Sequence, residues 1–182
     1  MIVIIGESGC GKSSLVNAFV KRFPSYKRVV TYTTRPMRPG EVDGVDYHFV
    51  TEEQFKELDN NYKLAECNIY RGWHYGTPRI DDYGDKFIVV LTPAGLREFK
   101  RGVTESARRL ITSVYLDVDR RSRLINLLKR GDDIEESYRR SLSDVGQFDG
   151  VEHEVDFVIK NPNFEHSIDE EVDMLFNHLR FN

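Results

Sequence analysis

The stretch Ile2-Val3-Ile4-Ile5-Gly6-Glu7-Ser8-Gly9-Cys10-Gly11-Lys12-Ser13 decides the fold. Four β-branched residues in a row, with no polar alternation, predict a strand buried on both faces, as central parallel strands are. A glycine-rich loop follows. From Lys12 to Arg22, Leu15, Ala18 and Phe19 recur on one helical face with Val16 and Val20 beside them, until Pro24 stops the helix. Gly6 to Ser13 fits G-x-x-x-x-G-K-S/T at every fixed position. Such a loop turns successive backbone N–H groups inward around phosphate oxygens, and the helix behind it adds its positive end. Gly6, Glu7, Ser8, Gly9, Cys10, Gly11, Lys12, Ser13 and Ser14 are therefore the expected ATP-binding loop, with Lys12 on the β- and γ-phosphates and the Ser13 hydroxyl on Mg²⁺. Cys10 reads as a small loop residue.

Working outward, Arg28 to Thr34 and Asp46 to Val50 read as strands, and Thr51-Glu52-Glu53-Gln54 as a capping box opening a helix. Residues 62–77 read as a hairpin, with Trp73 and its tyrosines packing it. Apolar runs at Phe87–Leu91, Leu110–Leu116 and Val155–Ile159 alternate with helical patterns near 93–101, 119–130, 134–148 and 166–181. Strands alternating with helices predict a three-layer α/β fold around a parallel sheet. The segment from 31 to 77 breaks the alternation and reads as an inserted lobe. The expected division is a core of 1–30, 81–119 and 146–182, a lobe of 31–80 and a lid of 120–145.

The 182 residues suit one domain. With 26 basic and 30 acidic residues the net charge is −4, which argues against a general nucleic-acid binder. No apolar run approaches the ~18 residues of a membrane span, and the short run before Gly6 reads as a strand, not a leader. Two cysteines are too few for a disulfide framework. The expected setting is cytoplasmic, the chain a monomer or homodimer, its partners small-molecule nucleotides. The five scattered histidines offer no zinc spacing.

Thr33-Thr34-Arg35-Pro36-Met37-Arg38-Pro39-Gly40-Glu41 through Asp46-Tyr47-His48-Phe49 sets two arginines three residues apart on a proline-stiffened turn, a geometry suited to bidentate phosphate recognition. The pattern T-T-R-P-x-R-P-G-E-x-x-G-x-x-Y-x-F resembles the monophosphate-binding segment of guanylate kinases, and the glycine loop resembles theirs. The resemblance continues through Glu66, Gly72, Tyr75-Gly76-Thr77, Arg130-Gly131 and Asn161. It implies a P-loop fold that moves the γ-phosphoryl of MgATP to a purine nucleoside monophosphate, most simply GMP or dGMP. By resemblance, Arg35, Arg38, Tyr47 and Tyr75 bind the acceptor phosphate and Glu41 steadies the arginine turn. Thr31, Glu66 and Thr77 meet the base, Glu66 suiting the adjacent N1–H and N2–H₂ donors of guanine. Asn161 falls where the family contacts adenine.

The run from Arg120 to Arg140 reads as a lid whose arginines cover the phosphates. Arg130 matches the family's lid position. A strict register puts Ser141 at the second position, with Arg140 one residue away. Lys12, Arg35, Arg130 and Arg140 are the expected catalytic set. The sequence departs from the family at Val90 and Thr92, where guanylate kinases carry two aspartates. The residues leave two other readings open: the same fold acting on another nucleoside monophosphate or a ribose bisphosphate, or a non-catalytic binding module.

Overall fold

The computed structural model of the chain describes residues 1–38, 40–79, 86–131 and 133–181. In chain order the elements are β1 (Ile2–Ile5), α1 (Lys12–Arg22), β2 (Lys27–Arg28), β3 (Tyr32–Thr33), β4 (His48–Phe49), α2 (Glu52–Asn60), β5 (Leu64–Tyr70) and β6 (Trp73–Pro78). They continue with β7 (Phe87–Val90), α3 (Pro93–Gly102), α4 (Glu105–Arg108), β8 (Thr112–Asp117), α5 (Arg120–Lys129), α6 (Ile134–Ser143), a 3₁₀ turn (Val151–His153), β9 (Phe157–Lys160) and α7 (Ile168–Phe181). The predicted boundary between lobe and core, at residues 80 and 81, lies outside the described residues.

Five strands form a parallel sheet in the order β2-β7-β1-β8-β9. Strand alternation sends Ile2 and Ile4 to one face, where Leu15, Val16 and Phe19 of α1 and Val172 and Leu175 of α7 cover them. Val3 and Ile5 face the other way, onto Leu96 and Phe99 of α3 with Phe148 and Val151. Three layers result, and β1 is sealed on both sides as its composition requires. Fully burying such side chains contributes about 1.5–3 kcal/mol each. The neighbours of β1 are β7 on one side and β8 on the other, so its carboxyl end opens a crevice between diverging connections, the usual ligand position in such sheets. The glycine loop lies there.

The second sheet, order β4-β3-β6-β5, is the lobe. The expected single strand from Arg28 to Thr34 is divided: Lys27–Arg28 pairs with β7 in the core, and Tyr32–Thr33 pairs with β4 and β6 in the lobe. The β-forming composition was there, but the chain changes sheets at residues 29–31, and that change is a tertiary decision. Helix α6 ends at Ser143, five residues before the predicted end. The capping box is present: Gln54 N–H donates to Thr51 Oγ1 at 3.2 Å, and Thr51 N–H to Gln54 Oε1 at 2.8 Å.

Candidate functional site

The glycine loop is tightly seated. Gly9 has φ +83°, and a Cβ there would lie 2.6 Å from the Arg123 carbonyl oxygen of α5, so the position admits only glycine. Asn126 of α5 donates to Gly9 O at 2.8 Å. Glu7 accepts from Arg123 at 3.1 Å and from the Tyr115 hydroxyl at 2.9 Å. The Lys12 ammonium folds back to donate to Gly6 O at 2.6 Å and Glu7 O at 2.7 Å, which holds a cation over the loop. Ser13 and Ser14 are exposed in the first turn of α1. Cys10 belongs to the core, and burial pushes its thiol up, as befits a packing residue.

The arginine turn is built as a clamp on one carboxylate. Arg35 donates to Glu41 through both terminal nitrogens, at 3.0 and 2.8 Å, and the Arg38 backbone N–H donates to the same carboxylate at 2.8 Å. Burial alone would push Glu41 up; the Arg35 bonds and the Arg38 N–H overcome it and hold the carboxyl below its ordinary range. The Arg35 guanidinium lies 5.3 Å from the Tyr47 ring centre and 5.4 Å from that of Phe49. Tyr47 in turn meets Tyr75 edge-on at 6.0 Å. Burial, then the charges of Arg35 and Arg140, pull Arg38 down to about 10. Three guanidiniums crowded in this way form a site that an anion relieves.

Arg140, one residue from the place that strict register gives to Ser141, lies among these arginines. It is 3% exposed and donates to Glu136 at 2.8 Å, and Glu136 also reaches Arg38 at 3.7 Å. Ser141 instead accepts from Arg120 at 2.9 Å. Helical geometry explains the shift, because Arg140 falls one turn after Glu136, on the face toward the lobe. Arg130 stands at the exposed C-cap of α5, one turn beyond Asn126.

A row of polar side chains crosses the lobe sheet. Glu66 pairs with Thr77 across β5 and β6, and the β3–β6 register, extended by one, sets Thr31 opposite Thr77. Glu66 is 4% exposed and accepts from the Thr77 hydroxyl at 2.7 Å. Tyr75, two residues from Thr77, shares the face. Asn161 is wholly buried: its amide N–H₂ donates to His166 O and Glu171, and its Oδ1 accepts from the His166 N–H. Its side chain is committed to holding the loop before α7.

The sequence reading missed the residues that connect lobe to loop. The hairpin tip is the two-residue turn Arg71-Gly72, with φ +57° and +77°, as a type I′ turn demands. Arg71 donates to Ser8 Oγ at 3.1 Å, to the Arg140 carbonyl at 2.7 Å and to Asp144 at 2.9 Å. Asp144 also accepts from the Tyr70 hydroxyl and, at 2.8 Å, from the Ser8 N–H. Arg123, read as part of the lid's charge run, is buried behind the glycine loop. Only the hairpin signal at 62–77 pointed toward this junction. Thus Ser8, Arg71, Arg140, Glu136 and Arg38 form a continuous path of contacts from the glycine loop to the arginine turn.

Comparison with known proteins shows the family. The family model described as "Guanylate kinase" matches residues 1–178. The guanylate kinase of Synechococcus sp. (strain JA-3-3Ab) is 34% identical over 176 residues, covering 93% of this chain and 79% of that protein. That of Trichodesmium erythraeum is 31% identical over 186 residues, covering 99% and 97%. The crystal structure of guanylate kinase from Anaplasma phagocytophilum superposes with a TM-score of 0.72 at 26% identity, covering 99% of this chain and 84% of that one.

Proposed function

The chain belongs to the guanylate kinase family, and from that premise we propose that its cleft carries the γ-phosphoryl group of ATP to the phosphate of GMP, giving GDP. The observation that carries the reading is the convergence of Arg35, Arg38 and Arg140 on a path of contacts that ends at the glycine loop. The acceptor phosphate is already anionic, so no general base is needed. The work is positioning and charge stabilisation.

In this reading the amides from Gly9 to Ser13 and the positive end of α1 hold the ATP phosphates, and Lys12 leaves the Gly6 and Glu7 carbonyls to follow them. Arg35, set by Glu41, and Arg38 grip the acceptor phosphate with Tyr47 and Tyr75. Arg140 stands between the two anions, where negative charge spreads in the transition state. Arg130 enters as a second lid cation. The hairpin tip, closed on Ser8, excludes water from the transferring group. Glu66, Thr77 and Thr31 take the base.

A magnesium ion fits this chemistry as an ion brought by the nucleotide. Among the described residues no group of three or more His, Cys, Asp or Glu could hold a metal, so the Ser13 hydroxyl, phosphate oxygens and water would supply its ligands. When bound it neutralises charge on the phosphates. Among the described residues no helix is long and apolar enough to cross a membrane. The cytoplasmic setting of the reading draws on the two unpaired cysteines.

The test is a coupled assay of all ribo- and deoxyribonucleoside monophosphates with MgATP, together with Glu66→Ala. We expect GMP or dGMP to be the preferred acceptor and Glu66→Ala to cost base discrimination more than maximal rate. Preference for a pyrimidine or a phosphorylated sugar would overturn the reading.

A further inference from the structure

We propose that Asn68 and Thr92 are positioning residues for base specificity, which hold Glu66 as a hydrogen-bond acceptor through a one-way relay so that the cleft selects a purine edge with two adjacent donors. The proposal rests on the guanylate reading of the cleft and deepens it.

The direction of the relay follows from donor inventory. The Gly95 N–H, in the first turn of α3, donates to Thr92 Oγ1 at 3.0 Å. Thr92 is thus used as acceptor there, and its own O–H is turned to Asn68 Oδ1 at 3.4 Å. With its oxygen so engaged, the Asn68 amide presents N–H₂ to Glu66 Oε2 at 2.9 Å. The Thr77 hydroxyl donates to Glu66 Oε1 at 2.7 Å from the other side. Both contacts end on the carboxylate as acceptor. A protonated Glu66 would either turn an O–H toward the Asn68 N–H₂ or force the Thr77 hydroxyl to turn round and accept.

Strand geometry puts Asn68 in place, because residues 66 and 68 share one face of β5. Close packing holds the set still. A Cβ on Gly95 would lie 2.9 Å from Asn68 Nδ2, 3.2 Å from Glu66 Oε2 and 3.3 Å from Thr92 Oγ1, so α3 sits directly on the relay. A carboxylate offers about four lone-pair positions. The Thr77 hydroxyl and Asn68 take two, the Thr77 backbone N–H also acts on the group, and the remaining lone pairs are left for a ligand. A guanine-type edge brings N–H and N–H₂ side by side to fill them; an adenine-type edge turns a ring-nitrogen lone pair toward the same oxygens.

The relay also opposes the net rise that burial imposes on the carboxyl. Burial pushes Glu66 up; the Thr77 and Asn68 bonds pull it back, and Glu98 of α3 adds to the rise. The other charges facing this corner are Asp59 of α2 and Arg101 of α3, both disposed around Glu98. Hydrogen bonds from Thr77 and Asn68 thus lower Glu66 as the bonds of Arg35 lower Glu41.

The test is calorimetric binding of GMP, IMP and AMP between pH 5 and 8. The GMP-to-AMP affinity ratio is read because phosphate titration cancels in it. We expect the wild-type ratio to fall on acidification as Glu66 gains a proton. In Asn68→Ala the ratio at pH 7.5 drops about tenfold and the midpoint of the acid loss moves up by about one pH unit, the worth of one hydrogen bond to a charged group. Thr92→Ser, which keeps the hydroxyl, retains the wild-type profile. An unmoved midpoint in Asn68→Ala overturns the proposal. Should that variant not fold, a wild-type ratio independent of pH overturns it alone. A wild-type protein that binds no GMP at pH 7.5 is a separate result: it removes the guanylate reading itself.

Discussion

The Arg71 guanidinium and the Asp144 carboxylate meet at 2.9 Å across 73 residues of chain, and their junction lies against Ser8 of the glycine loop. Asp144 has a side-chain exposure of 2%, and its carboxylate faces Arg71, Arg123, the Tyr70 hydroxyl and a loop amide. One acidic group thereby neutralises cations supplied by the lobe and by α5.

Removing it should leave Arg71 buried without that counter-charge, while Arg123 keeps only Glu7, at 3.1 Å. We predict that Asp144→Ala lowers stability by about 3–5 kcal/mol, the usual cost of breaking a buried pair from one side. Chemical denaturation measures it, and a loss below about 1 kcal/mol would show that Arg71 and Arg123 are satisfied without Asp144.

Arg71 reaches three units through one terminal nitrogen at the far end of its guanidinium, a reach that the shorter lysine side chain lacks. We predict that Arg71→Lys keeps the fold and lowers kcat about tenfold, the scale of one lost hydrogen bond between charged groups. Amide exchange around residues 68–75 should quicken. Unchanged kcat together with unchanged exchange would mean that tip closure is immaterial to turnover.

Lys12 donates to two loop carbonyls and to the Cys10 sulfur of the same loop, so its loss asks little of the core. We predict that Lys12→Ala lowers kcat by roughly 10²–10³-fold, the scale of losing one preorganised donor to developing charge. Its melting temperature should stay within a few degrees of the parent's. Full turnover in the variant would take Lys12 out of the chemistry.

The Arg35–Glu41 clamp carries a pH signature. Glu41 is held below its ordinary value of 4.5 in the fold, so its stabilisation is present above that pH and is lost as the pH falls through the lower folded value. We predict that Glu41→Gln costs roughly 2 kcal/mol at pH 7 and that the gap to wild type closes as the pH drops below about 4. Urea melts at several pH values give the comparison; a gap that persists at pH 3 would mean that the pair's charge is irrelevant.

Legibility differed by the range of the interaction. Ile2–Ile5, the glycine loop and α1 are read from spacing alone, because β-branched runs, phosphate loops and amphipathic helices are local chemistry. The pairing of Arg35 with Glu41, six residues apart, was expected from the family resemblance and not from spacing alone. Asp144, Arg71 and Asn68 carried no signal, since an isolated aspartate, arginine or asparagine reads as solvated surface until a distant partner buries it. Asn161 lies at the expected strand end, yet its amide is spent on His166 and Glu171.

By itself the sequence determined the phosphate loop, the parallel core and the stiff arginine turn, each dictated by periodicity and side-chain chemistry within a few residues. Tertiary structure alone decided that residues 29–31 pass from one sheet to the other, that Arg140 and not Ser141 faces the arginines, and that the hairpin tip closes on Ser8. Those outcomes depend on which surfaces meet when two sheets and a helix pair are packed, and a buried charge has one stable place only once its partner has been brought to it.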